Sequence, residues 1–286
     1  MHKRFILIIN CPDKEGIIAS VSNFLFKRKF NILESSQFKD TKNNQFFMRV
    51  CFTHINNKHK FKFSYLNSEF KHISIKFKMN FNFYDMSKKQ KVLIMVSKFG
   101  HCLNNILYQW KTGSLNCDIP LIISNHSAMK EVVKPYNINF YTLPVNKKNK
   151  SIQEEKLFNL IGKNKIDLVV LARYMQILSP NVCKTLEGKI INIHHSFLPS
   201  FKGARPYNQA FLKGVKIIGA TAHYVTNELD EGQIIEQDVA RVDHTKTLNN
   251  FISIGREIES SVLNRAINWH LERRIIINEN RTVVFN

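Results

Sequence analysis

A chain of 286 residues with 44% hydrophobic and 11% aromatic side chains can bury one large core or two ordinary ones, which argues against disorder. Lys and Arg exceed Asp and Glu by 42 − 22 = 20 charges. They are dispersed among Asn, Ile and Phe with no nucleic-acid-binding motif or basic tail, so a general attraction for anions is expected and a nucleic-acid partner is not. No run approaches the ~18 apolar residues of a membrane helix, so no membrane partner is expected. Cys11, Cys51, Cys102, Cys117 and Cys183 are scattered and odd in number. They fit neither a disulfide framework nor paired zinc ligands, which points to reduced thiols, a cytoplasmic protein and no metal.

The start, Met1-His2-Lys3-Arg4, is basic, but its apolar run is only Phe5 to Ile9 with no small-residue cleavage site behind it. A first strand is expected there, not a signal peptide. Cys11–Gly16 is a loop, and Ile17, Ile18, Val21, Phe24, Leu25 and Phe26 recur at helical spacing over about 16–29. Asn31 to Phe38 and Gln45 to Thr53 form a hairpin around the polar turn 40–44. A helix is expected over about 58–72, from Phe61, Phe63, Tyr65, Leu66 and Phe70, and a fourth strand over 73–83. The order βαββαβ is a ferredoxin-like unit.

Pro12-Asp13-Lys14-Glu15-Gly16-Ile17 followed by Asn31-Ile32-Leu33-Glu34-Ser35-Ser36-Gln37 resembles an ACT domain, a small regulatory module that binds amino acids in many metabolic enzymes. The resemblance makes Asp13, Gly16, Ile17 and Asn31 the regulatory candidates, with an amino-acid effector as a possible partner. Backbone N–H groups at the start of the first helix suit a ligand carboxylate. A module that only pairs subunits edge to edge is the alternative, and exposed edge strands favour a homo-oligomer.

Residues 84–90 are short, polar and basic, which sets the expected domains at 1–84, a linker at 85–90, and 91–286. Strands at 92–96, 120–123, 140–143 and 167–171 alternate with helices at 103–110, 128–135, 152–162 and 180–186, implying a doubly wound, mostly parallel α/β sheet. A helix at 206–213, strands at 217–226 and 233–242, a long helix at 247–272 and a terminal hairpin complete the chain.

Ile190, Ile191 and Ile193 read as the end of a buried strand, expected to stop at Asn192, and Asn192, His194, His195 and Ser196 crowd where it runs out. Asn192 and His194 share one face. They are suited to donate two hydrogen bonds to one developing oxyanion, as attack on a carbonyl carbon requires; capping a strand end is the plainer use of the same pair. Leu198-Pro199 and Gly203 mark a loop.

Asn192-Ile193-His194 with Ser196-Phe197-Leu198-Pro199, His223-Tyr224-Val225-Thr226, and Glu228-Leu229-Asp230-Glu231-Gly232 together resemble the formyltransferase family, which uses 10-formyltetrahydrofolate as one-carbon donor. The resemblance covers about residues 91–272, and makes Asn192, His194 and Asp230 the catalytic candidates. The deformylase branch is closest in pattern: an ACT-like segment comes first, and His194-His195 is doubled. Gly203-Ala204-Arg205-Pro206-Tyr207, Gly219-Ala220-Thr221-Ala222-His223-Tyr224 and Ser97-x-x-x-His101-Cys102-Leu103 are also similar. At Phe99-Gly100-His101 a bulky ring stands where the amine-formylating relatives have a Gly- and Ser-containing phosphate cradle. That favours water as acceptor.

The resemblance implies hydrolysis of 10-formyltetrahydrofolate to formate and tetrahydrofolate, with the folate as substrate and no cofactor; formyl transfer to an amine such as glycinamide ribonucleotide is the alternative. Asn192 and His194 would stabilise the tetrahedral intermediate, and Asp230 would take up or relay the water's proton and orient His194. The implied substrate pocket involves Arg173, Met175, Ile177, Leu178, His195, Ser196, His223, Val225, Thr226 and Glu231. His195 is expected on the opposite face of its strand; His195 and His223 are each open to a catalytic or a structural role. Gln233 departs from the Pro expected after Glu231-Gly232.

Overall fold

A computed structural model of the protein describes residues 3–56, 62–199 and 206–286. The chain forms two compact units, Met1–Lys89 with Glu272–Ile276 and Val283–Asn286, and Gln90–Leu271 with Ile277–Thr282.

The first unit contains β1 (Phe5–Pro12), α1 (Ile17–Lys27), β2 (Phe30–Asp40), β3 (Gln45–His54), α2 (Phe63–Phe77) and β4 (Asn80–Asp85). The sheet order β2-β3-β1-β4, antiparallel throughout, is the ferredoxin-like topology. Alternation along β1 sends Phe5, Leu7, Ile9 and Cys11 into a core with Val21, Leu25, Phe52 and Phe70. Helix α2 runs five residues past the expected 72, and β4 begins at Asn80 instead of 73. Ile73, Ile75, Phe77 and Met79 alternate as a strand would, but Leu66, Phe70, Ile73 and Phe77 make one helical stripe that is buried, while Ile75 is 68% exposed. Phe61 and the expected helix start at 58 lie outside the described residues.

The opposite face of this sheet buries Phe47 with Ile276 and Phe285 of the C-terminal tail. Arg49, also buried, donates to Glu34 (Nη1–Oε2 2.9 Å) and to the carbonyls of Glu272 and Arg273. The expected 91–286 span is therefore divided: parts of the tail belong with the first unit, because outward-facing apolar side chains of β1 and β3 need a cover.

The second unit contains β5 (Gln90–Val96), α3 (His101–Lys111), β6 (Cys117–Ser124), α4 (Lys130–Val133) with a following 3₁₀ turn, β7 (Asn139–Thr142), α5 (Lys150–Asn164), β8 (Leu168–Leu171), α6 (Pro180–Thr185), β9 (Ile190–His194), α7 (Pro206–Leu212), β10 (Ile217–Tyr224), β11 (Ile234–Arg241) and α8 (Leu248–Leu271). A terminal hairpin, β12 (Ile275–Asn278) and β13 (Arg281–Val284), closes the chain. The seven-stranded order is β11-β10-β9-β8-β5-β6-β7; β5 to β9 run parallel, and β10 and β11 are antiparallel additions. From β5 the chain first winds towards β7 and then returns to build β8 and β9 on the other side. The carboxyl ends of β5 and β8 are thus the topological switch point, where ligands bind in open α/β sheets. Strand β9 continues to His194, two residues past its expected end. Among the described residues no helix is long and apolar enough to cross a membrane.

Candidate active site

Ile190, Asn192 and His194 alternate along β9 onto one face, with Ile190 packed among Leu171, Val182 and Leu186. At the strand end this face turns polar. His194 Nδ1 lies 3.2 Å from Asp230 Oδ2, and Asn192 Nδ2 lies 3.2 Å from His223 Nε2. Residue 223 stands directly opposite residue 192 in the β9–β10 ladder. His223 Nδ1 is 2.8 Å from the Tyr224 carbonyl, which can only accept. The proton therefore sits on Nδ1, and Nε2 receives the Asn192 N–H. The same Nε2 is 3.7 Å from Asp230 Oδ1, so the ring that holds the amide also lies beside the carboxylate.

Asp230 reaches this position from the β10–β11 connection in a left-handed conformation (φ 59°), which Asp tolerates better than most side chains. The turn demands Gly232: a Cβ there would lie 1.6 Å from the Tyr224 carbonyl oxygen. Gln233, in place of the expected Pro, donates from Nε2 to the Glu279 carbonyl at 3.0 Å, a tether that Pro could not make. Burial alone would raise the Asp230 carboxyl, but hydrogen bonding and charge from His194 and His223 outweigh it and hold the group well below the usual carboxylate range. Asp230 is thus ionised and keeps the His194 proton on Nδ1. His194 Nε2 is left buried with no hydrogen-bond partner, an unmet polar atom of the kind a reacting molecule satisfies.

His195 directly follows β9 and lies beside α7. Its ring lies 6.2 Å from Tyr207 and 5.3 Å from His194, centroid to centroid. There Glu259, 1% exposed, accepts from Tyr207 (OH–Oε1 2.6 Å) and pairs with His101 Nε2 at 2.9 Å and Arg173 Nε at 3.2 Å. Gly255, one helical turn before Glu259, lets Tyr207 in: a Cβ would meet its ring at 2.1 Å. His101, Cys102 and Glu259 place ligand atoms within 4.8 Å of one another. Burial pushes the Cys102 thiol up, the Glu259 charge adding to it, and Arg173 already neutralises the carboxylate, so this is an ion-pair network in character.

Burial, reinforced by the Arg173 charge, pushes the His195 imidazole down to about 3. The unfolded value is about 6.5, so between these limits the unfolded chain binds a proton that the folded chain does not. Stability contributed by neutral His195 is therefore complete above about pH 6.5 and is lost as the pH falls towards 3. Thermal melts between pH 7 and 4 are expected to show a steeper fall for the wild type than for His195→Gln; parallel curves would remove this role from His195.

Ser196 is buried, and its carbonyl accepts from Thr221 Oγ1 at 3.0 Å; the same hydroxyl accepts from Leu198 N at 3.0 Å and Gln237 Nε2 at 2.9 Å. Thr221 thus pins the segment after β9. Met175 N donates to Ser97 Oγ at 2.9 Å, and Ser97 N to the Arg173 carbonyl at 3.2 Å, across the switch point. Leu178 and Val225 pack against one apolar cluster with Leu171, Val182 and Ile190. Ile177 and Leu178 also border a cleft with Leu143 and Leu157, which the catalytic candidates do not line. Met175 and Ile177 are exposed, Thr226 donates to the Glu228 carbonyl at 3.2 Å, and Glu231 is exposed on the Asp230 turn. Gly203, Ala204 and Arg205 lie outside the described residues.

In the first unit, Gly16 caps α1 at φ 84° and Ile17 is buried. Asp13 pairs with Lys39 (Nζ–Oδ2 2.6 Å), and Asn31 pairs with Thr53 in the β2–β3 ladder. Sequence reasoning missed Glu259 and Gln237. The signal for Glu259 was present: it is the acidic member of an α8 stripe that otherwise buries Gly255, Val262, Leu263 and Ala266.

Residues 90–267 match the family model described as formyl transferase. A formyltetrahydrofolate deformylase of Bacillus subtilis (strain 168) is 46% identical over 281 residues, 98% of this chain and 93% of that protein. The crystal structure of a formyltetrahydrofolate deformylase from Pseudomonas syringae pv. tomato superposes with a TM-score of 0.96 at 44% identity, covering 100% of this chain and 95% of that one. A glycinamide ribonucleotide transformylase from Symbiobacterium toebii is similar over only 72% of this chain, though 98% of its own, with a TM-score of 0.65 at 25% identity. Likeness over both units, and not over the second alone, places the chain: it belongs to the formyltransferase family, in the branch of the formyltetrahydrofolate deformylases.

Proposed function

We propose that this protein hydrolyses 10-formyltetrahydrofolate to formate and tetrahydrofolate. The observation that carries the reading is the Asp230–His194 contact, which leaves the buried Nε2 of His194 facing the end of β9 without a partner. With its proton held on Nδ1, the neutral ring takes a proton through Nε2 from the water that attacks the formyl carbon, and Asp230 stabilises the resulting imidazolium. Asn192, its amide held by His223, donates to the oxyanion; one such donor is worth about 2.7–4 kcal/mol of barrier. His194 then returns the proton to N10 as the C–N bond breaks. The second proton of the water leaves the formic acid for solvent, giving formate. Leu178, Val225 and their cluster offer the pterin an apolar wall, and Ser97 orders the Arg173–Leu178 loop beside it.

Water as acceptor is supported at the head of α3, where Phe99 and His101 flank Gly100 and His101 is tied to Glu259. Purified protein mixed with 10-formyltetrahydrofolate alone is expected to release free formate. Formation of an N-formyl product on addition of an amine acceptor such as glycinamide ribonucleotide, with no free formate in its absence, would instead make it a transferase.

Release of formate for purine synthesis, a cytoplasmic location and self-association through the edges of the first sheet complete the proposal. The start of α1 serves an amino-acid effector, glycine or methionine, through N–H groups after Gly16. Calorimetry of the full chain with each amino acid tests this, and an absence of heat with both would leave the first unit a pairing module.

A further inference from the structure

Arg173 stands two residues beyond β8, at the switch point, with a left-handed backbone (φ 65°). Its side chain is 9% exposed and its charge is met along one edge, where Nε lies 3.2 Å from Glu259 Oε2. That contact is an ion pair without a formed hydrogen bond, since Nε is buried and unpartnered. The Glu259 oxygens are engaged by Tyr207 and His101. Among the described residues the guanidinium donates no hydrogen bond. A guanidinium stays charged and presents a planar fork suited to a carboxylate, so a buried one without hydrogen bonds is a site awaiting an acceptor.

Its surroundings indicate the size and origin of that acceptor. In register along the parallel sheet, Leu171 lies opposite Asn192, and Arg173 and His194 each follow two residues beyond that pair. His195 bridges the two sides, its ring close to His194 and to Tyr207. It carries no charge that would compete with the guanidinium for an anion. A one-carbon anion formed at Asn192 and His194 would move past a neutral imidazole to a guanidinium that donates no hydrogen bond.

Building on the hydrolase reading, we propose that Arg173, with His195 beside it, forms a subsite for the formate released by the reaction, held on the terminal guanidinium nitrogens at the switch point. The same chemistry could come from a carboxylate of the folate tail. The enclosure by Glu259, Tyr207 and His195 favours the one-carbon anion.

The test is titration of ¹³C-formate into the full-length protein without folate, read by NMR line width, with formate inhibition of turnover measured in parallel. Arg173→Gln is expected to weaken both at least tenfold. Because that variant strands Glu259, the neutral pair Arg173→Gln with Glu259→Gln is measured beside it, as is Arg173→Lys, which keeps the charge but loses the fork and should lie between. Unchanged formate affinity in these variants would overturn the subsite. So would weaker binding of a tailed folate, relative to its pteroate analogue, with formate binding intact. Binding is read without turnover, so the two readings fail differently. Formate binding without formate release removes the hydrolase; release with binding indifferent to Arg173 removes the subsite.

Discussion

Asp230→Asn is expected to lower formate release by about 10³–10⁴-fold while folate binding is kept; losing the carboxylate behind a catalytic imidazole has effects of that order. The substitution is nearly isosteric, so the left-handed turn and its Gly232 contact persist. What changes is the partner of His194 Nδ1. An ionised carboxylate only accepts, which holds the proton on Nδ1 and leaves Nε2 free to take one from water. An amide offers a donor as readily as an acceptor, permits the other ring tautomer, and no longer stabilises the imidazolium. Since the Asp230 carboxyl lies well below the ordinary range, the wild type keeps it ionised at any pH suited to assay. Single-turnover formate release and equilibrium folate binding check both halves. Turnover within tenfold of wild type would remove Asp230 from the mechanism.

Glu259→Ala should have the largest effect on stability, about 3–5 kcal/mol, the usual consequence of stranding one member of a buried ion pair. Arg173 would keep its charge at 9% exposure with no counter-ion from α8, and Tyr207 and His101 would lose their acceptor. For a chain of this size each kcal/mol moves the melting midpoint by roughly 2–4 °C, so a fall of about 10 °C is expected. The double change Glu259→Gln with Arg173→Met removes both charges and should recover much of it. A melting point for Glu259→Ala within about 2 °C of wild type would show that the network is not a stabilising one.

Much of this architecture is visible locally. The period-2 and period-3.6 patterns identify most elements to within a few residues, because burial of one face is recorded in neighbouring positions. The same signal misleads where two periods coincide: Ile73 to Met79 satisfy both, and only the packing of Phe77 decides for the helix. Asn192 and His194 are recognisable as a pair because they lie two apart on one strand, whereas Asp230 is singled out only by the resemblance of Glu228-Leu229-Asp230-Glu231-Gly232 to the formyltransferase family.

The chain's own order of residues determined the fold class and the placing of Asn192 and His194 on one face of a strand, since each depends on contacts within a strand, a helix or a turn; Asp230 enters through the family resemblance. The tertiary structure alone decided that the His223 ring aligns the Asn192 amide, that parts of the tail cover the first sheet, and that Glu259 faces His101 across 158 residues of sequence. The reason is physical. Backbone periodicity repeats and can be read in a window, whereas the meeting of one buried charge with another depends on how sheets and helices stack and leaves no period behind.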